Sequence, residues 1–350
     1  MIDFRSDTVT KPTPEMRRAM AEAEVGDDVF EDDPTVNELE RYTAEILGKE
    51  AALYMASGTM SNQVAIRAQT QPGDEIMIHE LSHVYLFEAG GPAALSGVMP
   101  KLLNGERGVF TVEEIAGKLR PENVHFSPTK LIVLENTVNR GAGKIWSIER
   151  IAEIADFAHE HGLLMHLDGA RLWNASVATG IPEAEYAKYF DSVSVCFSKG
   201  LGAPVGSALV GAKALIKRAR RFRKMLGGGM RQAGIIAAGA LYALKNNRLR
   251  LAEDHENAKI LADAISKMPH IELDPDSVET NLIIFKVGGL PAQELADRLY
   301  ERGVWVLTTA KDSIRAVTNL EVNREQIFEA IKVFNKVTDE IQITPEILCP

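Results

Sequence analysis

The sequence predicts an α/β fold, with a large domain built on a mostly parallel sheet between helices and a small C-terminal α+β domain. Three observations carry this expectation. Strand-like and helix-like segments alternate through the middle of the chain, the pattern of a parallel sheet crossed by helices. A long helical stretch, Arg231 to about Met268, then leads out of that pattern. Beyond it the regular alternation stops.

Taken in order, Ala51-Ala-Leu-Tyr-Met55 reads as a strand, and Ser57-Gly-Thr59 opens a helix running towards Gln69. Glu75–Ile78 and Lys130–Glu135 are the next strands, followed by a helix near Ile148–His161 with apolar positions at helical spacing. Two further strands end at Asp168 and Phe197, and Ala208–Gly211 adds another. In the small domain the expected elements are Asn281–Val287, a helix near Pro291–Arg302, Val304–Leu307, Ser313–Val317 and a closing helix at Arg324–Val337. The expected boundaries are 1–250 for an N-terminal arm with the large domain, 251–340 for the small domain and 341–350 for a tail.

A chain of 350 residues can bury a large core and divide in this way. The net charge of −10 argues against a nucleic-acid partner, because phosphate contacts need clustered cations. The basic run Arg218-Ala-Arg-Arg-Phe-Arg-Lys224 is a local exception, for which a solvated helix face is the simpler account. Only Cys196 and Cys349 are present, so neither a disulfide framework nor a cysteine metal site is expected. The N-terminus is charged at once and has no apolar signal region. No apolar run approaches the roughly 20 residues that span a bilayer. A cytoplasmic enzyme without membrane contact fits best.

Lys199 is the most informative residue. It follows the apolar run Ser192–Phe197 and precedes Gly200, while a second apolar run, Leu163–Leu167, ends in Asp168-Gly-Ala-Arg171. An amine and a carboxylate, each just past a buried strand, suit pyridoxal 5'-phosphate: the amine forms a Schiff base and the carboxylate holds the pyridinium nitrogen charged. Alone, each residue reads as readily as a solvated lysine or a turn former. Arg171, one short turn after Asp168, offers a bidentate fork to a substrate carboxylate, or an internal partner for Asp168. Ser57, Gly58 and Thr59 form a small-residue turn whose amides and hydroxyls suit a phosphate, although an ordinary helix cap explains them too. The turn lacks the lysine–serine/threonine ending of a P-loop, and no Gly-x-Gly-x-x-Gly run marks a dinucleotide fold. His79 and His83 follow the next strand, and either can stack on a flat ring or move a proton. No third ligand accompanies them, so no metal site is expected. Gly227-Gly-Gly229, bracketed by Lys224 and Arg231, is either a flexible connector or an anion site.

These segments, in this order, resemble the threonine aldolases of the pyridoxal-phosphate fold-type-I group. The resemblance runs through Arg5-Ser-Asp-Thr-Val-Thr-Lys-Pro12, Gly26-Asp-Asp-Val-Phe30, Ser57-Gly-Thr59, Phe87-Glu-Ala-Gly-Gly91, Glu135-Asn-Thr137, His166-Leu-Asp-Gly-Ala-Arg171, Ser198-Lys-Gly200 and Lys224-Met-Leu-Gly-Gly-Gly-Met-Arg-Gln-Ala-Gly234. It covers essentially residues 2 to 320. It implies that Lys199 carries the cofactor, Asp168 bonds its ring nitrogen, and His83 stacks on the ring. Phosphate contacts fall on Gly58 and Thr59, with Lys224 and Arg231 supplied by a neighbouring subunit. Substrate carboxylate contacts fall on Ser6, Arg171 and Arg315, and a second active-site histidine falls on His125. The implied reaction splits a β-hydroxy-α-amino acid such as L-threonine or L-allo-threonine into glycine and an aldehyde. His83, His125 or a water held by them takes the hydroxyl proton. A homodimer with shared sites, paired further into a tetramer, is implied as well. A β-eliminating lyase, a racemase or a silent cofactor-binding protein on the same fold would share Lys199 and Asp168. Two departures stand out: Glu31 replaces a small residue, and Val138 replaces a histidine.

Overall fold

The structure is a computed structural model and describes residues 1–341; positions 342–350, with Cys349 and nearly all of the expected tail, lie outside the described residues. The described chain divides into two units, one formed by Lys11–Arg250 and the other by Met1–Thr10 with residues 251–341.

Strand β1 (Ile2–Asp3) belongs to the smaller unit. The larger unit carries β2 (Ala51–Met55), β3 (Glu75–His79), β4 (Met99–Leu103), β5 (Thr129–Glu135), β6 (Leu164–Gly169), β7 (Ser192–Cys196) and β8 (Ser207–Gly211). The smaller unit adds β9 (Ile271–Glu272), β10 (Leu282–Val287), β11 (Val304–Trp305), β12 (Leu307–Ala310) and β13 (Ser313–Val317).

In the larger unit the sheet order is β2-β8-β7-β6-β5-β3-β4. From β4 across to β7 all neighbours are parallel, while β8 runs antiparallel to both β7 and β2. Strands β3, β7 and β8 are buried at every residue, so both sheet faces are covered. The helix Gly58–Gln69 shows how. Its Val64, Ala65 and Ala68 pack with Leu53, Met55 and Leu209, while its Ile66 packs with Ile76, Ile78, Leu131 and Val133. A helix apolar on more than one side is one that the fold encloses. The parallel arrangement brings the C-terminal ends of β2, β3, β5, β6 and β7 to one sheet edge, where open α/β sheets bind their ligands.

The smaller unit has an antiparallel sheet, β12-β13-β10-β9, and a separate parallel pair of β1 with β11. The N-terminal arm belongs here and not with the large domain, where the sequence reading grouped it. Phe4 is fully buried among Leu261, Phe285 and Phe334, its N–H donates to the Trp305 carbonyl at 2.8 Å, and its own carbonyl accepts from Val317 at 2.8 Å. A two-residue strand has no period to read, and its partners lie some 300 positions on.

Two other expectations change. The stretch Arg231 to about Met268 is two helices, Gly234–Asn246 and Leu251–Ile265, rather than one. Asn247 ends the first by donating its side-chain amide to the Leu201 carbonyl at 2.7 Å, a local bond that competes with helix continuation. The edge strand β4 was not expected, because Pro100 weakens its signal; an edge position tolerates the proline.

Glu31 stands in the left-handed region, with φ 63°, where it closes the turn Asp28–Phe30. That conformation explains why a small residue suits the position. Its ion pair to Arg220 at 3.7 Å involves a mostly exposed carboxylate and contributes little. Glu31→Gly removes strain of about 1–2 kcal/mol but adds about 0.5–1 kcal/mol of unfolded-chain entropy. Urea unfolding should therefore show stability unchanged or raised by up to about 1.5 kcal/mol, while Glu31→Val should lose about 1 kcal/mol or more.

Candidate active site

Ser57 caps the helix that follows β2, accepting from the Met60 N–H at 3.1 Å. The first-turn N–H groups of Gly58 and Thr59 have no carbonyl within the helix to pair with, so they offer an anion two donors at the positive helix end. Gly58 also has no room for a side chain: a Cβ there would lie 2.7 Å from Cys196 Sγ. The same thiol accepts from Lys199 Nζ at 3.5 Å and from Ser207 Oγ at 3.1 Å. Cys196, the last residue of β7, therefore joins the phosphate-type turn to the lysine.

Asp168 lies at the end of neighbouring β6 and is 2% exposed. Its Oδ1 accepts from the Ala170 N–H at 3.2 Å and its Oδ2 from Asn62 Nδ2 at 3.0 Å. Asn62 also donates to Glu88 Oε1 at 2.9 Å, and Gln63 donates to Glu88 Oε2 at 2.5 Å. His83 Nδ1 completes this group, 3.0 Å from Glu88 Oε1. Ligand-type atoms of His83, Glu88 and Asp168 all lie within 4.8 Å of one another. Burial alone would depress the His83 imidazole. The Glu88 hydrogen bond and the charges of Asp168, Glu88 and Glu135 outweigh it and raise the pKa.

His79 and His83 are now distinguishable. His79 is 3% exposed, stacks near Phe110, accepts from the Leu81 N–H and bonds the Gly105 carbonyl. Its ring is fully used by the protein. The His83 side chain keeps 36% of its surface open beside Asp168, with Glu88 fixing one ring nitrogen. Only His83 is placed to face a ligand.

Glu135, at the end of β5, ties two site loops together by accepting from the His83 N–H at 2.7 Å and the Asn139 N–H at 2.8 Å. Burial, and then the Asp168 charge, push its carboxyl up to about 7. A raised folded-state pKa gives stability that is fully present below the ordinary glutamate value and is lost as pH rises through about 7. Glu135→Gln removes that term. In urea unfolding of the apoprotein, wild type should lose more stability than the variant between about pH 4.5 and 7, so that any advantage at the acid end shrinks toward neutrality.

Arg171, 5% exposed, starts the helix Leu172–Thr179, and its N–H donates to the Asn136 carbonyl at 3.4 Å. Ser6 and Arg315 lie in the smaller unit. Ser6 accepts from the Thr8 N–H and hydroxyl, and Arg315 donates to the carbonyl of Arg5, the residue before Ser6. Lys224 is exposed, and Arg231 pairs with Asp27 at 2.9 Å while remaining more than half exposed. The basic run is partly spent inside the fold: Arg223 is buried against Asp28 at 2.7 Å, and Arg220 pairs with Glu40.

His125 is not brought to this site within the chain. It is exposed in the segment leading into β5, whereas Glu135 marks the other end of that strand. The seven residues of β5 put its two ends roughly 20 Å apart. Val138 is 2% exposed and packs on the neighbouring loop, where a Cβ on Gly108 would lie 2.3 Å from Val138 Cγ1. The departure at position 138 is therefore a packing exchange against Gly108 and Gly141.

The sequence assigns no role to Asn62, Glu88, Glu135 or His166, although the last three stand in the motifs above. The available signal was polarity in the wrong place. Ser61-Asn62-Gln63 interrupts an otherwise enclosed helix, and a buried polar group needs a partner.

Three buried carboxyl groups, Glu88, Glu135 and Asp168, surround one imidazole, so acidic side chains outnumber basic ones there. A protonated pyridine nitrogen would give them a further cationic partner, the helix end lacking a Cβ would accept a phosphate, and Lys199 would supply the amine. The residues fit pyridoxal phosphate.

Comparison with known proteins agrees. The family model described as beta-eliminating lyase matches residues 3–287. The chain belongs to that family. It is 46% identical over 330 residues to the low specificity L-threonine aldolase of Escherichia coli K12, covering 94% of this chain and 97% of that protein. A solved threonine aldolase structure from Leishmania major superposes with a TM-score of 0.82 at 20% identity, over 97% of this chain and 100% of the other. A structure of SPT with PLP as an internal aldimine gives a TM-score of 0.72 at 19% identity, over 96% of this chain and 87% of the other. The fold is that of the fold-type-I pyridoxal-phosphate enzymes.

Proposed function

We propose that this family member is a pyridoxal-phosphate-dependent carbon–carbon lyase that cleaves L-threonine, L-allo-threonine and related β-hydroxy-α-amino acids to glycine and an aldehyde. One observation carries the reading. A buried carboxylate, Asp168, accepts from two neutral donors beside a half-open histidine, on the sheet edge where Lys199 and the helix start at Gly58 both lie against Cys196. Similarity to the E. coli aldolase over nearly the whole chain supports the substrate class.

When bound, the cofactor supplies an electron sink for the pair left on Cα as the Cα–Cβ bond breaks. Lys199 would provide the amine that anchors it. Asp168 would hold a proton on the ring nitrogen, and the Gly58 and Thr59 amides would hold the phosphate. Glu88 fixes His83 through Nδ1, leaving Nε2 as the site's proton-handling atom. Within one protomer His83, or a water bound to it, takes the β-hydroxyl proton, and His125 reaches a site only from another copy. Arg171 would supply a guanidinium for the substrate carboxylate in the larger unit, while Ser6 and Arg315 belong to the smaller one.

Lys224 and Arg231, both exposed, suit a neighbour's phosphate, so the functional unit is a homo-oligomer with shared sites. Among the described residues no helix is long and apolar enough to cross a membrane, and the charge balance fits a cytoplasmic enzyme without nucleic-acid partners. Initial rates with both threonine diastereomers and with phenylserine test the substrate class. Aldehyde release from all three is expected, and a protein that binds cofactor yet releases no aldehyde from any of them contradicts the reading.

A further inference from the structure

We propose that Gln69, Ser192, His166 and Asn62 form a one-way chain of hydrogen-bond donors that ends on Asp168 and holds it as an oriented carboxylate. Asn62 and His166 are then positioning residues for the reaction. The proposal rests on the reading that Asp168 faces the cofactor's ring nitrogen.

The direction of the chain follows from its end. Carboxylate oxygens only accept, and one side-chain atom of Asn62 lies 3.0 Å from Asp168 Oδ2 and 2.9 Å from Glu88 Oε1. That atom must be the amide nitrogen, and both of its hydrogens are used. Asn62 Oδ1 therefore faces His166 Nε2, at 3.1 Å, and that ring nitrogen must carry the hydrogen. Burial pushes the His166 pKa down to about 4, against the nearby Asp168 charge, so the ring is neutral and its Nδ1 is an acceptor. Ser192 Oγ, 2.7 Å away, is the donor to Nδ1. The Ser192 oxygen in turn accepts from Gln69 Nε2 at 2.7 Å. Each link donates toward Asp168, and each polarises the next.

The fold builds this alignment from two matched rails. Asn62 and Gln69 are seven apart on the helix Gly58–Gln69, two turns along one face. His166 and Asp168 are two apart on β6, on one sheet face, and His166 is register-paired with Ser192 of β7. All five side chains are buried, His166 and Ser192 completely. An apolar side chain at position 166 would fill the space, so packing alone does not explain a neutral histidine bonded at both nitrogens.

The test uses holoenzyme reconstituted with cofactor labelled with ¹⁵N at the ring nitrogen, at mildly alkaline pH. Wild type should show the protonated-ring signal. His166→Phe and Ser192→Ala should shift it toward the neutral-ring position and lower kcat on the order of tenfold, with KM little changed. His166→Gln, whose amide N–H can replace Nε2–H, should retain more of both. Ser192→Ala decides the matter if His166→Phe does not fold. Variants that lose thermal stability or kcat while keeping the wild-type ¹⁵N signal would overturn the proposal and leave His166 a structural residue. A wild type that binds cofactor with a neutral ring would instead overturn the reading of Asp168, and the chain with it.

Discussion

Lys199→Ala is expected to abolish turnover, a loss on the order of a thousandfold or more, together with the visible absorbance of the attached cofactor. The structure gives the reason. Lys199 stands just past β7, with its amine 3.5 Å from the thiol that also touches Gly58. No other lysine lies in the turns that follow β2, β3, β5 or β6 at the site edge: residues 56–62, 80–88, 136–139 and 170–174 contain none. The fold should survive, because Lys199 is partly exposed and belongs to a turn held by backbone bonds, among them Gly202 N–H to the Lys199 carbonyl at 2.8 Å. Circular dichroism and urea unfolding should therefore stay near wild type while activity disappears. A borohydride-reducible adduct persisting in the variant would place the anchor elsewhere.

Asp168→Asn is expected to bind cofactor and lose ten- to a hundredfold or more in kcat. Two effects act together. The amide is neutral and cannot stabilise a protonated ring nitrogen. It also meets donors on both sides, since Ala170 N–H and Asn62 Nδ2 each point at a carboxylate oxygen. One side-chain atom of asparagine can accept, and its NH2 must then face a donor. The variant should thus lose about 1–3 kcal/mol of stability as well, measured by urea unfolding. Near-normal turnover with cofactor bound would exclude Asp168 as the ring-nitrogen partner.

Much of the fold was legible because parallel strands buried on both faces read as apolar runs, as Ser192–Cys196 and Leu164–Leu167 do. The residues at their ends, Lys199 and Asp168, then stand out by contrast. The rest depends on contacts far apart in sequence. Asn62 meets Asp168 across 106 positions and His166 across 104, so no local window reveals its role. His83 could be preferred over His79 only by resemblance, since what separates them is Glu88 on one side and Phe110 with Gly105 on the other. His125 has the right residue type but precedes the start of β5 while Glu135 ends it, which strand direction decides and composition does not. Pairing of the first residues with β11 and β13 was equally invisible, because two residues of strand carry no pattern.

The central claim is that this site breaks the Cα–Cβ bond and leaves the Cβ–O bond intact. The most direct measurement is the product balance from L-allo-threonine with holoenzyme. One glycine and one acetaldehyde per substrate consumed, with no ammonia, is the predicted result. Formation of 2-oxobutanoate with ammonia in place of glycine would show elimination and contradict the account.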